Sequence, residues 1–262
     1  MGGGRKKAFS AASLLRKKKR KIHGVYTMIK ALFIDIDNTL LDFDGYVREA
    51  MQKGFRQFGL KPYTEEMFPV FRRINTELWQ KIESGELTLA ELTKIRWSRI
   101  LKTLGIDFDG IRFEDYFRES LFHSAIPIDG AMEMLTYLHQ CYLLCAASNG
   151  PYKQQRNRLK KAGMDSFFSH FFISERIGVS KPAEAFFTRS IRELNEDLTR
   201  RSEPPAGPDE IMIIGDSLTS DMAGGRRSGL KTCLFDRERK YKKEDLAVDH
   251  IIYDLREVSS IL

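Results

Sequence analysis

Six short runs of apolar residues, each bounded by turn residues, recur along the chain. They are IKALFID (29–35), YLLCAAS (142–148), HFFIS (170–174), EIMIIGD (210–216), KTCLF (231–235) and DHIIY (249–253). Runs of this length predict strands that are buried on both faces. Helical segments lie between most of them, such as KQQRNRLKKAG, which ends at Gly163, and PAEAFFTRSIRELNEDL, with Pro182 at the first helical position. This alternation predicts a parallel sheet covered by helices.

The segment between the first two predicted strands breaks the alternation, because it has helical periodicity and no strand run. Thr88 and Glu91 form a capping box that starts one of its helices. The preceding helix has an apolar face made of Phe71, Ile74, Leu78 and Ile82. We interpret such faces as the core of a small helical bundle. The predicted fold class is therefore α/β, with a Rossmann-like parallel-sheet core (28–44 and 124–262) flanked by helices and an inserted α-helical cap domain (45–123).

The positive net charge of the chain is concentrated at its start. The 262 residues carry a net charge of +7, and residues 1–27 hold nine of the 43 Lys and Arg residues and no acidic residue. The remainder has 34 basic and 36 acidic residues and is nearly neutral. We interpret residues 1–27 as a disordered basic leader, with a nuclear address or a nucleic-acid arm as the alternative. A secretory signal fits poorly, because a second basic block follows the short apolar stretch AFSAASLL.

The rest of the composition is ordinary for a globular protein, with 42% hydrophobic and 30% charged residues. No run approaches the roughly 18 uncharged apolar residues of a membrane-spanning helix, so we expect no membrane insertion. The three cysteines, Cys141, Cys145 and Cys233, are odd in number and lack metal-binding spacing. We interpret them as reduced residues that pack the core of a cytoplasmic protein.

Polar side chains follow the predicted strands at their carboxyl ends, where ligands bind in open parallel sheets. They are Asp35 and Asp37 after the first strand, Ser148 and Asn149 after the second, Lys181 after the third, and Asp216 and Asp221 after the fourth. Carboxylates that converge on one edge need a cation to offset their repulsion, and Mg²⁺ prefers such oxygen ligands. A lysine, a hydroxyl and the start of the helix after Ser-Asn-Gly offer what a phosphate dianion binds. The sequence therefore predicts a site for Mg²⁺ and a phosphate group.

The order Asp-x-Asp-x-Thr, Ser, Lys-Pro and Gly-Asp-Ser-x-x-x-Asp resembles the motifs of the haloacid dehalogenase superfamily across residues 29–262. The helical cap after the first motif is similar to the C1 cap of its subfamily IA. For the phosphatases of this superfamily, the resemblance implies a nucleophile at Asp35 and a general acid and base at Asp37. Asp37 argues against the dehalogenase branch, which lacks an acid at that position and needs no metal.

The same resemblance implies roles for the other strand-end residues. Lys181 would serve catalysis and bind the phosphate together with Ser148 and Asn149. Asp35, the main-chain carbonyl of Asp37, and Asp216 would hold Mg²⁺, with Asp221 supporting these ligands without binding the ion directly.

Residues 75–105 and 173–182 resemble the pyrimidine 5′-nucleotidases, which implies hydrolysis of a nucleoside 5′-monophosphate such as UMP, dUMP or dTMP. Phe43 would stack on the base or only pack the hinge, and Trp79 stays open as a ligand contact in the cap. The alternatives are a phosphatase for a phosphosugar or phosphoglycolate, a phosphomutase, and a non-catalytic protein that binds through its basic leader. We expect a monomer or homodimer that binds a small phosphate monoester, with no membrane partner and no nucleic acid.

Overall fold

The six predicted strand runs form one parallel sheet. The computed structural model describes residues 28–262, so the predicted leader at 1–27 lies outside the described residues. The strands are β1 Ala31–Ile34, β2 Leu143–Ser148, β3 His170–Ile173, β4 Ile211–Gly215, β5 Lys231–Phe235 and β6 His250–Ile252. Their order across the sheet is β3-β2-β1-β4-β5-β6, and every neighbouring pair is parallel. The predicted parallel sheet is confirmed, because each strand lies within one predicted run.

Ten α-helices accompany the sheet in the described part of the chain. They are α1 Phe43–Gln57, α2 Met67–Glu83, α3 Leu89–Thr103, α4 Gly110–His123, α5 Ala131–Leu138, α6 Tyr152–Lys161, α7 Ser174–Ile177, α8 Glu184–Arg200, α9 Ala223–Arg227 and α10 Val258–Ile261. Separate apolar clusters cover the two faces of the sheet, one containing Leu32 and Ile34 and the other Phe33. Because both faces are covered, the strands are continuous apolar runs without polar alternation.

Strand β1 lies at the centre of the sheet, where the strand order changes direction. It pairs with β2 on one side and β4 on the other. In open parallel sheets this switch point is where ligands bind, beyond the carboxyl ends of the strands. Asp35 and Asp216 directly follow β1 and β4 and therefore start at adjacent strand ends.

Helices α1 to α4 share an apolar cluster of their own, distinct from the two clusters of the sheet. Trp97 is fully buried there, with its ring centroid 4.2 Å from that of Phe113 and 5.2 Å from that of Phe117. The predicted capping box at the start of α3 is present, with Thr88 and Glu91 bonding each other's main-chain amides. These helices form the helical insertion, which we call the cap.

Two details differ from the sequence predictions. Pro182 is not at the first helical position, because α8 begins at Glu184. The side chain of Asn149 bonds both the N–H and the C=O of Lys181, which keeps the chain before Pro182 out of the helix. Cys145 and Cys233 are buried as predicted, but Cys141 is exposed because it lies in the turn before β2. Within residues 28–262, no helix combines the length and apolarity needed to cross a bilayer.

Gly110 permits the close approach of α3 and α4 in the cap. A Cβ atom at this position would lie 2.3 Å from the main-chain nitrogen of Ser98, so a backbone segment would have to move. We expect Gly110→Ala to lower the free energy of unfolding by about 1–3 kcal/mol, the usual range for overpacking. Urea unfolding followed by circular dichroism measures this change. The matched control is Ser98→Ala, which trims an exposed hydroxyl at the same contact and should stay within about 0.5 kcal/mol of wild type. Equal stability of Gly110→Ala and wild type would contradict the close approach.

Candidate active site

The turn after β1 fixes the positions of two carboxylates. The carbonyl of Ile36 accepts hydrogen bonds from the amides of Leu40 and Leu41, each at 2.9 Å, which closes the turn. Asn38 has a φ of +58°, a left-handed conformation that Asn tolerates better than most residues. Its side chain accepts from the amide of Asp44 at 3.0 Å and so ties the turn to the first turn of α1. The turn therefore presents Asp35 and Asp37 in a defined backbone geometry.

Lys181 joins the loops that follow β1, β2 and β4. Its Nζ donates to Asp35 Oδ1 at 2.7 Å, to Asp221 Oδ1 at 2.6 Å and to the carbonyl of Ala147 at 2.6 Å. These bonds use all three ammonium donors of a side chain that is 2% exposed. Asn149 positions this lysine, because its amide accepts from the N–H of Lys181 and donates to its C=O, both at 2.9 Å. The structure thus brings Asp35, Lys181 and Asp221 together, as the sequence predicted for one site.

Asn149 has little bonding capacity left for a ligand in this arrangement, since its amide oxygen and nitrogen are both engaged by Lys181. Its contact with a phosphate group stays a prediction. Ser148 is buried, and its Oγ accepts from Gln155 Nε2 at 3.0 Å and donates to the carbonyl of Asn149 at 3.3 Å. A phosphate bond from Ser148 therefore stays a prediction, because the hydroxyl would have to turn from that carbonyl toward the adjoining cavity.

Burial and mutual repulsion shift the pKa values of the acidic residues. Burial raises the pKa of Asp35 to about 7, with the charge of Asp221 acting in the same direction and attraction to Lys181 acting against it. Burial and the charges of Asp35 and Asp221 also raise the pKa of Asp216 well above its ordinary value. Burial would lower the pKa of Lys181, but the charges of Asp221 and Asp35 outweigh it and raise that pKa.

The acidic residues fit a hard divalent cation. Asp35, Asp216 and Asp221 each offer a carboxylate oxygen, and these oxygens all lie within 4.8 Å of one another. The donors are all oxygens, which favours Mg²⁺ over metals that prefer imidazole or thiolate. The single ammonium of Lys181 does not neutralise three carboxylates, so a bound cation would also relieve their repulsion. The main-chain carbonyl of Asp37 stays a predicted further ligand.

The side chain of Asp37 has different partners from that of Asp35. Arg158 Nη1 donates to Asp37 Oδ1 at 2.6 Å, and Gln155 Nε2 donates to Asp37 Oδ2 at 2.8 Å. Sequence reasoning missed both residues, which lie on α6. Gln155 and Arg158 are three residues apart and therefore lie on the same face of α6, next to the buried Leu159. This spacing was the signal in the sequence for polar side chains on the inner face of the helix.

A cavity of about 930 Å³ opens above the carboxylates, lined by the cap and by the strand-end loops. Glu83, at the end of α2, lines this cavity. Burial and the charge of Asp221 raise the pKa of Glu83 to about 7, while a hydrogen bond from Thr219 acts in the opposite direction. Glu83 is therefore an acidic cap residue close to the core site, which sequence reasoning also missed.

A buried ion pair lines the cap side of the cavity. Arg96 donates to the carboxylate of Glu114 through Nε at 3.1 Å and through Nη2 at 2.6 Å. Its Nη1 donates to Asn75 Oδ1 at 3.1 Å. Arg96 and Glu114 are buried, and all three residues line the cavity. The cap thus presents fixed polar groups to whatever fills the cavity.

The two aromatic residues left open by the sequence both line this cavity. Phe43 packs against the rings of Tyr46 and Phe71, with centroid distances of 6.1 and 6.3 Å. Phe43 therefore packs against the apolar cluster of the cap, while its packing at a hinge and its stacking on a base both stay predictions. Trp79 is partly buried against the cap cluster, with part of its surface on the cavity.

Comparison with known proteins agrees with this geometry. The YfnB protein of Bacillus subtilis (strain 168), which is named a HAD-hydrolase, is 31% identical over 233 residues, 89% of this chain and 95% of YfnB. A crystal structure of YfnB bound to magnesium matches with a TM-score of 0.78 over 90% of this chain and 99% of that one. The pyrimidine 5′-nucleotidase YjjG of Escherichia coli (strain K12) is 25% identical over 232 residues, 88% of this chain and 96% of YjjG. The pyrimidine 5′-nucleotidase PynA of Streptococcus pneumoniae (strain ATCC BAA-255 / R6) is 28% identical over 211 residues, 79% of this chain and 84% of PynA. The family model for haloacid dehalogenase-like hydrolases matches residues 29–229, and the chain belongs to that family.

Proposed function

We propose that this protein is a Mg²⁺-dependent phosphatase that hydrolyses nucleoside 5′-monophosphates, pyrimidine nucleotides above all, through an aspartyl-phosphate on Asp35. The observation that carries the proposal is the buried contact of Lys181 Nζ with Asp35 and Asp221, beside Asp216 and at the base of one cavity. Relatives named pyrimidine 5′-nucleotidases support the substrate class.

The phosphate group would bind where the strand-end loops meet. Mg²⁺ held by Asp35, Asp216 and the carbonyl of Asp37 would supply positive charge next to the phosphate oxygens. Lys181 contributes the positive charge of a fixed ammonium at the same place, and the Ser148 hydroxyl would turn from the carbonyl of Asn149 to donate to the phosphate. The positive charges and this hydrogen bond would stabilise the negative charge that spreads over the equatorial oxygens during phosphoryl transfer.

The two aspartates after β1 divide the chemistry. Asp35 attacks phosphorus in line with the leaving oxygen and forms the aspartyl-phosphate, so its carboxylate must be ionised. Asp37 gives a proton to the leaving alkoxide and afterwards takes one from the water that hydrolyses the intermediate. A general acid and base of this kind contributes about 10²–10⁴ in rate. Only Ile36 separates the two residues on the chain, so both would reach the same phosphate.

The cap side of the cavity supports a nucleoside as the leaving group. Trp79 and Phe43 offer aromatic surface, and Arg96 and Asn75 offer hydrogen-bonding groups held in place by Glu114. A pyrimidine base has apolar faces and a polar edge, which match these two kinds of group. Because Arg96 and Glu114 already neutralise each other, the pair recognises polar edges without requiring a second charge on the substrate.

Asp35→Asn should abolish turnover, since an amide is a poor nucleophile. We expect kcat to fall by more than about 10³-fold for UMP and for 4-nitrophenyl phosphate, as for the loss of other catalytic nucleophiles. Phosphate release in the presence of Mg²⁺ measures the change. Asp115→Asn is a matched control, because Asp115 is an exposed aspartate on α4. Retained activity in Asp35→Asn would contradict the proposed nucleophile. A wild-type preference for phosphosugars or phosphoglycolate over UMP, dUMP and dTMP would contradict only the substrate class.

Magnesium binding should strengthen as pH rises through about 7. The raised pKa values of Asp35 and Asp216 mean that the metal-free site holds protons that the ion must displace. The pKa of Asp35 is about 7 in the folded protein and 3.8 in the unfolded chain, so protonation of Asp35 stabilises the metal-free fold. This stabilisation is fully present below pH 3.8 and is lost as pH rises toward about 7. We therefore expect MgCl₂ to raise the melting temperature more at pH 8 than at pH 6, measured by calorimetry.

The control for this experiment is Asp216→Asn, which removes one oxygen ligand and one repelling charge. In this variant the stabilisation by MgCl₂ should shrink at both pH values, while the metal-free protein should lose less stability between pH 6 and pH 8 than wild type does. Equal stabilisation of wild type by MgCl₂ at both pH values would contradict the coupling between protons and metal.

A further inference from the structure

Helix α6 carries two buried polar side chains that face Asp37 rather than solvent. Arg158 Nη1 and Gln155 Nε2 donate to separate oxygens of the Asp37 carboxylate, at 2.6 and 2.8 Å. Arg158 and Gln155 are each 1% exposed, whereas the side chain of Asp37 keeps 30% exposure. One helix therefore holds both oxygens of a carboxylate that is itself open to the cavity.

The same two residues connect Asp37 to the predicted phosphate-binding loop. Gln155 Nε2 also donates to Ser148 Oγ at 3.0 Å, and Gln155 Oε1 accepts from Arg158 Nη1 at 2.8 Å. The four side chains form one connected network, in which rotation of any member breaks a bond to another. Arg158 and Gln155 thus set the orientation of Asp37, and neither residue belongs to the family motifs or to a strand end.

Stability alone does not explain a buried arginine at position 158. Its Nε is buried and has no hydrogen-bond partner among residues 28–262, an arrangement that native proteins rarely keep without another reason. Replacing a buried ion pair by well-packed apolar residues is often neutral or even stabilising. The effect of Arg158 on Asp37 is a better reason for its presence.

We propose that Arg158 and Gln155 are positioning residues that aim the carboxylate of Asp37 at the leaving oxygen and at the attacking water. This inference rests on the proposed role of Asp37 as general acid and base. Asp37 lies close enough to Asp35 for their charges to interact. Without a partner, the carboxylate of Asp37 would turn away from that of Asp35. Arg158 offsets that repulsion from the side of α6, and Gln155 selects the rotation of the carboxylate plane. Misplacement of a reacting group by about 1 Å can cost about 10²-fold in rate.

A double-mutant cycle tests whether Arg158 acts through Asp37. We expect Arg158→Met in the full chain with Mg²⁺ to lower kcat for phenyl phosphate, whose leaving oxygen takes a proton, by about 10- to 100-fold, with KM changed by less than about threefold. In the Asp37→Ala background the same substitution should have no further effect on kcat, because the group that it positions is gone. Independent losses that multiply in the double variant would overturn the proposal, as would wild-type kcat in Arg158→Met.

The matched control lies on the same helix. Arg156 also pairs with an aspartate, donating to both oxygens of Asp165 at 2.7 and 2.9 Å, but this pair lies outside the cavity lining. Arg156→Met removes the same kind of ion pair from α6, and kcat should stay within about twofold of wild type. Equal losses in Arg156→Met and Arg158→Met would show that damage to the helix explains both, and would overturn the positioning role.

Leaving-group dependence is a second readout that a merely structural role would not change. Nitrophenolate leaves without a proton, whereas phenolate, with a pKa near 10, gains more from protonation. Rapid-quench measurement of the phosphorylation step should therefore show a larger loss in Arg158→Met for phenyl phosphate than for 4-nitrophenyl phosphate. Equal losses for the two substrates would count against the proposal.

Circular dichroism and melting temperatures establish that each variant is folded. If Arg158→Met does not fold, Gln155→Leu takes its place in the same cycle with Asp37→Ala, with the same expected and contradicting results.

The outcome also separates this inference from the proposed function. Absence of hydrolysis that depends on Asp35 defeats both, whereas normal hydrolysis with additive effects of Arg158 and Asp37 defeats only the positioning role.

Discussion

The ammonium of Lys181 holds together loops that would otherwise repel one another. Asp35 and Asp221 lie within 2.7 Å of it, and Asp216 belongs to the same group of carboxylates. Removing one partner of a buried ion pair typically costs about 3–5 kcal/mol, because the remaining charge is left buried and unpaired. The lysine carries one positive charge against three carboxylates, so the site keeps an excess of negative charge after the loops are joined. That residual charge would favour the binding of a divalent cation at the strand ends.

Asp35 and Asp37 are close in the chain, but their side chains lie in different surroundings. Asp35 is buried against Lys181 and the other acids, while Asp37 turns to Arg158 and keeps part of its surface on the cavity. Two identical residues in different environments are suited to different tasks, as the proposed roles of nucleophile and of acid and base require. Only one residue separates them on the chain, so both would reach one phosphate, and each carboxylate is paired with a cation of its own.

Local pattern explains which parts of the molecule the sequence predicts. Asp35 and Ser148 stand at the carboxyl ends of apolar strand runs. Parallel strands place these ends on one edge of the sheet, so both residues were predicted without knowledge of packing. Gln155 and Arg158 lie in a helix rich in Lys, Arg and Gln, where every face has polar residues and only tertiary contacts decide which face turns inward. Glu83 was missed for a related reason, because its position above Asp221 depends on how the cap docks onto the core and not on the pattern within α2.

The contacts between cap and core differ in kind from those inside the cap. Arg72 of α2 meets Glu238 of the core at 3.5 Å, an exposed pair of the sort that contributes about 0–1 kcal/mol. Asn157 of α6 donates to the carbonyl of Phe122 of α4 at 2.6 Å, a hydrogen bond of a kind that contributes about 0.5–1.5 kcal/mol. The cap interior is instead built on fully buried rings around Trp97, whose pairings add about 0.5–1.5 kcal/mol each beyond their burial. The cap is therefore held together more strongly than these contacts hold it to the core. Since the cavity lies at that boundary, a ligand that contacts both sides would add to the few polar contacts that join cap and core there.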